Sequence, residues 1–191
     1  MKFTLESAKS IRNLKTSGTI FPCSKHSARF AIKKLNIQKA SLIIELGCGT
    51  GIFTKEILKQ KNPASRFFAL EINKNLAKET KKRFPSAIIY NDCAENLTKY
   101  IGEIETQKAD CIISTLPWAI FPADQQIKIL NEIYNSLKEK GEFITISYIL
   151  SNRFKGGKRF NNLLKSRFSY VKKTKHVLEN IPPVFFYYCR K

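Results

Sequence analysis

Short apolar runs alternate along this chain with longer segments whose apolar positions recur every three or four residues. Alternating strand and helix periods mark βα units, which stack into a mainly parallel sheet with helices on both faces. The first run, Leu42, Ile43 and Ile44, leads into E-L-G-C-G-T-G at Glu45 to Gly51, and an amphipathic helix follows from Ile52 to Lys61, closed by Asn62-Pro63. Arg66 to Glu71 reads as a second strand, and Asn73 as the cap of a lysine-rich helix ending near Phe84-Pro85. Ala87 to Tyr90 is a third strand, followed by Asn91-Asp92 and a helix to about Tyr100; Ala109 to Ser114 is a fourth. Pro122 opens a helix expected to stop at Gly141, and Glu142 to Ile149 alternates as a fifth strand. A helix over Lys158 to Phe168 and strands over Tyr170 to Leu178 and Val184 to Arg190 complete the chain. The last two strands join through Ile181-Pro182-Pro183 without a helix, which predicts an antiparallel pair at the sheet edge.

The end of the first run concentrates the candidate chemistry. A buried strand ending in alternating glycines lets the backbone turn sharply and approach a ligand with no Cβ in the way. Glu45 sits at the carboxyl end of that strand, where open α/β sheets bind ligands, and can accept a hydrogen bond from a cationic amino group. The spacing Gly47, Gly49, Gly51 is not the full G-x-G-x-x-G fingerprint, though another α/β nucleotide fold stays open on spacing alone. No G-x-x-x-x-G-K-[ST] element is present, which excludes a triphosphate P-loop. Glu71, at the end of the second strand, is placed to accept hydrogen bonds from two ribose hydroxyls; a helix-capping or surface carboxylate is the alternative.

Composition narrows the partners. At 191 residues the chain suits one domain, taken as residues 1–191, and 43% hydrophobic content argues against disorder. The 34 Lys and Arg against 15 Asp and Glu give a formal charge of +19, which points to a polyanion, either nucleic acid or an anionic membrane surface, unless it is a solvated lysine-rich surface. Five cysteines without a C-x-x-C pair read as reduced thiols in a cytoplasmic protein, and no metal site is expected. The N-terminus lacks the apolar core of a signal peptide, and no run approaches a membrane span.

The glycine turn resembles the first motif of class I S-adenosylmethionine-dependent methyltransferases. That resemblance implies a Rossmann-like, seven-stranded sheet and S-adenosylmethionine as cofactor, with S-adenosylhomocysteine as product. It implies that Asp92 binds the adenine amine while the backbone N–H of Cys93 meets the ring, although Asp92 also fits a plain helix cap. Gly47, Cys48, Gly49 and Gly51, with Ile72 beside Glu71 and Ser114 at the end of the fourth strand, complete the expected cofactor contacts. S-adenosylmethionine carries no phosphate, so its loop needs no lysine. Its sulfonium is an activated donor, which leaves the protein chiefly to position an acceptor.

The acceptor slot is Ser114-Thr115-Leu116-Pro117-Trp118, similar to the Leu-Pro-aromatic motif of amino-methyltransferases, with Thr115 where RNA adenine dimethylases carry Asn. More widely, the chain resembles bacterial phospholipid N-methyltransferases from near residue 13 to its end. The shared segments are T-S-G-T-I-F-P-C-S-K, E-L-G-C-G-T-G-I-F-T, A-L-E-I-N, S-T-L-P, F-I-T-I-S-Y and N-I-P-P-V-F-F-Y-Y-C-R. It departs from them at Thr115, where glycine is common, and at Cys23, where a small hydroxyl residue is usual. The resemblance implies methylation of the amine of phosphatidylethanolamine toward phosphatidylcholine, with Thr115, Leu116, Pro117 and Tyr148 on the acceptor side. Trp118 and Tyr148 each also fit a role in the core.

Phe3, Ser7, Ser10, Ile11 and Leu14 share one helical face, with Lys2, Lys9, Arg12 and Lys15 around the rest. Residues 1–36 are therefore expected to form a helical extension capping the active site. Its basic amphipathic part would lie on the inner face of the membrane or pack on the domain itself. The expected protein is a monomeric, cytoplasmic, peripheral enzyme. An rRNA adenine N6-methyltransferase and a non-catalytic methyltransferase-fold binding protein are its rivals.

Overall fold

The computed structural model describes residues 23–103 and 108–191; the amphipathic face expected at Phe3 to Leu14 lies outside them. Seven strands form one sheet in the order β3-β2-β1-β4-β5-β7-β6. They are β1 (Leu42–Leu46), β2 (Arg66–Leu70), β3 (Ile88–Tyr90), β4 (Ala109–Ser114), β5 (Leu137–Tyr148), β6 (Tyr170–Lys173) and β7 (Val184–Arg190). Strands β1 to β5 pair in parallel, and β7 runs antiparallel between β5 and β6. The helices are α1 (Lys25–Ile32), α2 (Ile52–Gln60), α3 (Lys74–Arg83), α4 (Leu97–Gly102), α5 (Ala123–Ser136) and α6 (Lys155–Arg167). The mainly parallel sheet with an antiparallel edge pair is the expected architecture.

Central strand β1 is buried along its whole length, so its alternate residues serve two cores. Leu42, Ile44 and Leu46 pack with Leu97, Ile129, Leu130, Ile133, Phe160 and Leu164 from α4, α5 and α6. Ile43 packs on the other face with Ala28, Ala31 and Ile32 of α1 and Phe53 and Ile57 of α2. Helix starts follow local side-chain chemistry. The Ser24 hydroxyl accepts from Ser27 N–H at 3.0 Å to cap α1, and Asn73 Oδ1 accepts from Asn75 and Leu76 N–H at 3.0 and 3.2 Å to cap α3.

Helix α6 starts at Lys155, three residues before the expected Lys158, and larger differences lie at two junctions. Helix α5 ends at Ser136, not Gly141, because fully buried Leu137 is drawn into the sheet opposite Ala109. The next paired residue is Glu142 opposite Cys111, so Lys138 to Gly141 bulge out of register, with Lys140 at φ +64°. Strand β6 stops at Lys173 and does not continue to Leu178. The Thr174 hydroxyl takes the Phe186 N–H at 2.9 Å and interrupts the ladder, which resumes only as a bridge between Val177 and Val184. Among the described residues no helix is long and apolar enough to cross a membrane.

Candidate active site

Strand order reverses at β1: the chain moves outward through β2 and β3, then returns to β4 on the opposite side. The loops leaving β1 and β4 therefore diverge and open a crevice at their carboxyl ends. Two bonds fix its floor: Gly47 N–H donates to Leu70 O at 2.8 Å, and Thr115 N–H donates to Leu46 O at 3.0 Å. Gly47 has φ +80°, and a Cβ there would stand 3.1 Å from Leu116 Cδ2 and 3.2 Å from Thr115 Oγ1, so this glycine lets the two loops touch. Gly51, at φ +81°, starts α2 beneath α3; a Cβ would come within 2.6 Å of the Phe84 ring. Thr80 Oγ1 donates to Gly49 O at 2.7 Å and ties α3 to the turn. Cys48 is buried under the turn, and burial raises its thiol pKa.

The three expected carboxylates lie along this edge in three different states. Glu45 is fully buried; Thr54 Oγ1 donates to its Oε2 at 2.6 Å, while buried Oε1 has no hydrogen-bond partner among the described residues. Burial, opposed by the Thr54 bond and reinforced by the charge of Glu71, raises the Glu45 pKa to about 8. A buried, unpaired carboxylate oxygen at a ligand crevice is matched by a cationic amino group, which S-adenosylmethionine carries. Glu71 accepts from Gly49 N–H at 2.8 Å through Oε2 and from Asn73 N–H at 2.9 Å through Oε1, so the second strand's carboxylate holds the glycine turn. Exposed Ile72 follows it.

Asp92 is the most heavily bonded of the three. Its Oδ1 accepts from Cys93 N–H at 2.6 Å and Asn96 Nδ2 at 2.8 Å, and Tyr100 O–H donates to Oδ2 at 2.6 Å. These bonds, Tyr100 first, hold its pKa below the ordinary carboxylate value, and the Tyr100 phenol is pushed up to about 12 by the same contact. Asp92 is thus ionised and oriented in advance, with lone pairs left for an amine donor.

On the acceptor side the structure separates residues that are adjacent in sequence. Thr115, Leu116 and Pro117 are half-buried at the crevice, and the Thr115 hydroxyl donates to Gly47 O. The buried Ser114 Oγ accepts from Leu116 N–H at 3.2 Å and Trp118 Nε1 at 3.3 Å, so the side chain supports the loop. Trp118 is a core residue: Nε1 donates to Thr145 Oγ1 at 2.9 Å, and the indole stacks on Phe160 with centroids 4.2 Å apart. Gln126, also fully buried, donates to Trp118 O and to Gly156 O, the latter at 3.0 Å, and its Oε1 accepts from Arg159 Nε at 2.9 Å. Arg159 also donates to Phe121 O at 2.9 Å, so the acceptor loop is clamped at both ends.

Tyr148 ends β5 half-buried, opposite Val184. Burial raises its pKa, with a further push from Cys23. The Cys23 thiol is itself raised to about 12, by burial first and then by the charge of Glu45. The start of α1 is held there by buried Asn180, whose Oδ1 accepts from Ser24 N–H at 2.8 Å and Ser27 Oγ at 3.1 Å, while Nδ2 donates to Pro182 O at 2.8 Å.

Several contributors were not singled out from the sequence: Thr54, Thr80, Asn91, Tyr100, Gln126, Thr145 and Asn180. Thr54 lies in G-I-F-T and Asn180 in N-I-P-P, so motif context marked both without giving either a role. Asn91 Nδ2 donates to the carbonyls of Glu71 and Ile72 at 2.8 and 3.0 Å, bonds that depend on β2 and β3 being neighbours. Gln126 looks like an ordinary polar helix position, and Arg159 reads with Lys155 and Lys158 as part of a basic surface patch, until the helices pack and join the two.

Comparison with known proteins agrees with this geometry. Residues 43–141 match the family model described as a methyltransferase domain. An ornithine lipid N-methyltransferase of Singulisphaera acidiphila is 25% identical over 176 residues, covering 90% of this chain and 87% of that protein. A malonyl-[acyl-carrier protein] O-methyltransferase of Ilyobacter polytropus is 31% identical over 134 residues, 69% of this chain; the chain spans about half, 47%, of that relative. Among solved structures, an O-methyltransferase from Bacillus cereus in complex with SAH superposes with a TM-score of 0.72 at 13% identity, covering 100% of this chain and 93% of that one. The matched segment runs from β1 through the bulge before Glu142 and holds Glu45, Glu71, Asp92 and the acceptor loop, and the chain belongs to the S-adenosylmethionine-dependent methyltransferases.

Proposed function

We propose that the protein methylates the amine of a lipid head group, of the phosphatidylethanolamine or ornithine lipid kind, at a membrane surface. The observation that carries this reading is the state of Thr115. Its one hydroxyl proton is committed to Gly47 O, so it offers only lone pairs to a partner, the complement of an N–H donor. The alignment with a lipid N-methyltransferase over 90% of the chain supports the same assignment.

Glu45 would hold the amino group of S-adenosylmethionine, Glu71 its ribose and Asp92 its adenine, with Ile72 packed on the ring. The bound sulfonium supplies the methyl group. The protein's remaining work is to hold a neutral amine in line with it. An alkylammonium has a pKa of ~10.4, so baring its lone pair at neutral pH costs about 4 to 5 kcal/mol. The crevice lowers this cost by desolvation. Tyr148 is no general base at neutral pH, because burial raises its pKa; its role is to orient the head group through a neutral hydroxyl. The turnover rate at saturating substrate should accordingly rise as pH approaches the amine pKa, by up to about ten-fold per unit. A flat profile measured by methyl transfer would place deprotonation outside the rate-limiting sequence.

The direct test supplies labelled S-adenosylmethionine with vesicles containing phosphatidylethanolamine or ornithine lipid, and in parallel with rRNA. Label in the organic phase is expected; label in RNA alone would overturn the proposal. Thr115→Val keeps the shape of the side chain but removes the acceptor. It should reduce kcat about ten-fold or more while leaving S-adenosylhomocysteine affinity within about three-fold, as expected for one hydrogen bond on the acceptor side.

A further inference from the structure

Three connections meet at the carboxyl edge of the sheet beside the crevice: the loop after β4, the turn after β5 and the segment between β6 and β7. They are tied to one another by backbone contacts. Tyr148 pairs with Val184, and Ile149 N–H donates to Pro183 O at 3.3 Å. Gly156 approaches Ala119 so closely that a Cβ would lie 2.1 Å from the Ala119 carbonyl oxygen. Along this line each connection presents apolar side chains to solvent: Ile120 from the first, Leu150 and Phe154 from the second, Leu178 and Ile181 from the third. Leu178 is 67% exposed and Ile181 85% exposed. A single exposed apolar residue is ordinary, but five from three separated loops around one opening form a directed surface.

The charges beside this surface have one dominant sign. Arg153, Lys155, Lys158 and Lys175 are all exposed on the same connections or the helix that follows. Glu179, between Leu178 and Asn180, is paired with His26 at 3.6 Å. Lys155, Lys158 and Arg159 also line an open groove with Asn162, Leu163 and Ser166 on the flank of α6. Large apolar side chains ringed by lysine and arginine suit a bilayer interface, where the tips enter the acyl boundary and the cations meet phosphate groups. A surface for single-stranded nucleic acid would instead present mainly stacking rings, whereas four of these five side chains are aliphatic and Phe154 is the one ring among them.

We propose that this rim, built from the domain's own loops, is the surface that seats the enzyme on a bilayer carrying anionic lipid, with the crevice facing the head groups. The proposal rests on the lipid-amine reading, and it locates membrane contact in residues separate from the N-terminal segment.

The test is co-sedimentation of the full chain with phosphatidylcholine vesicles made with and without phosphatidylglycerol. The wild-type chain should bind the anionic vesicles. Leu178→Ser with Ile181→Ser, and separately Leu150→Ser with Phe154→Ser, should each weaken that binding about ten-fold or more. Lys155→Glu with Lys158→Glu should weaken it too, with a flatter salt dependence. All three variants should keep the wild-type melting temperature and S-adenosylhomocysteine affinity. Unchanged vesicle binding by the apolar variants, wild-type binding to RNA but not to vesicles, or a rim-dependent dimer that binds no vesicles would each overturn the proposal. Turnover of a water-soluble, short-chain lipid amine separates this question from the substrate reading. If the rim variants methylate it like the wild type yet no longer bind vesicles, the rim is the docking surface. If the wild type binds vesicles but does not methylate it, the substrate reading fails while the docking surface stands.

Discussion

Replacing Glu71 with alanine is expected to lower affinity for S-adenosylhomocysteine by at least about 100-fold, the effect of losing two charge-assisted hydrogen bonds of ~1.5–3 kcal/mol each. The carboxylate already accepts from Gly49 and Asn73 N–H, yet each oxygen has a second lone pair for a ribose hydroxyl. The alanine variant therefore acts twice. It removes the ligand's acceptors and frees the backbone of the turn that shapes the crevice. Glu71→Gln separates the two effects, because its amide oxygen can keep one backbone bond while the charge is lost. It should recover part of the melting temperature and little of the affinity. Isothermal titration of each variant checks this, and wild-type affinity in Glu71→Ala would remove the residue from the cofactor site.

Glu45 predicts an unusual dependence on pH. In the unfolded chain its carboxyl titrates near the ordinary value of 4.5; in the folded protein without cofactor it titrates near 8. Between those values the native state holds a proton that the unfolded state has lost. Raising the pH through this window therefore destabilises the fold, by up to about 1.4 kcal/mol per pH unit, and the penalty levels off above the folded pKa. Glu45→Gln keeps an acceptor for Thr54 and removes the titration, so its stability should not carry this slope. Denaturant unfolding at several pH values measures both proteins.

Cofactor binding runs in the opposite sense. The ligand's ammonium group stabilises the carboxylate, so binding below about pH 8 expels the Glu45 proton and affinity should climb with pH, by up to ten-fold per unit. In Glu45→Gln that climb should vanish and affinity at neutral pH should fall. A wild-type affinity with no pH dependence over this range would show that Glu45 does not meet the amino group.

The scaffold was largely legible because its signals are local. Apolar runs bounded by Pro, Gly and Asn located all seven strands, and Asn73 and Pro122 marked helix starts that the structure retains. The boundaries that moved did so for non-local reasons. Leu137 follows a helix in sequence but pairs with Ala109, and Thr174 reads as a strand residue until its hydroxyl meets the Phe186 N–H. The same division runs through the site. Ser114 and Thr115 are neighbours with similar hydroxyls, yet one turns beneath the loop toward Trp118 and the other across to Gly47.

By itself, the sequence determined the order of strands and helices, the glycine turn and the placing of Glu45, Glu71 and Asp92 at three strand ends. These depend on periodicity and backbone conformation within short windows. Only the tertiary structure decided which atoms are spent on internal bonds and which remain for ligands. It left Glu45 Oε1 buried without a partner among the described residues, committed the proton of Thr115 and stacked Trp118 in the core. It also gathered Ile120, Phe154 and Ile181 from three loops onto one rim. The physical reason is that a side chain's bonds and exposure are set by neighbours from distant segments, which meet only when the sheet has closed around β1.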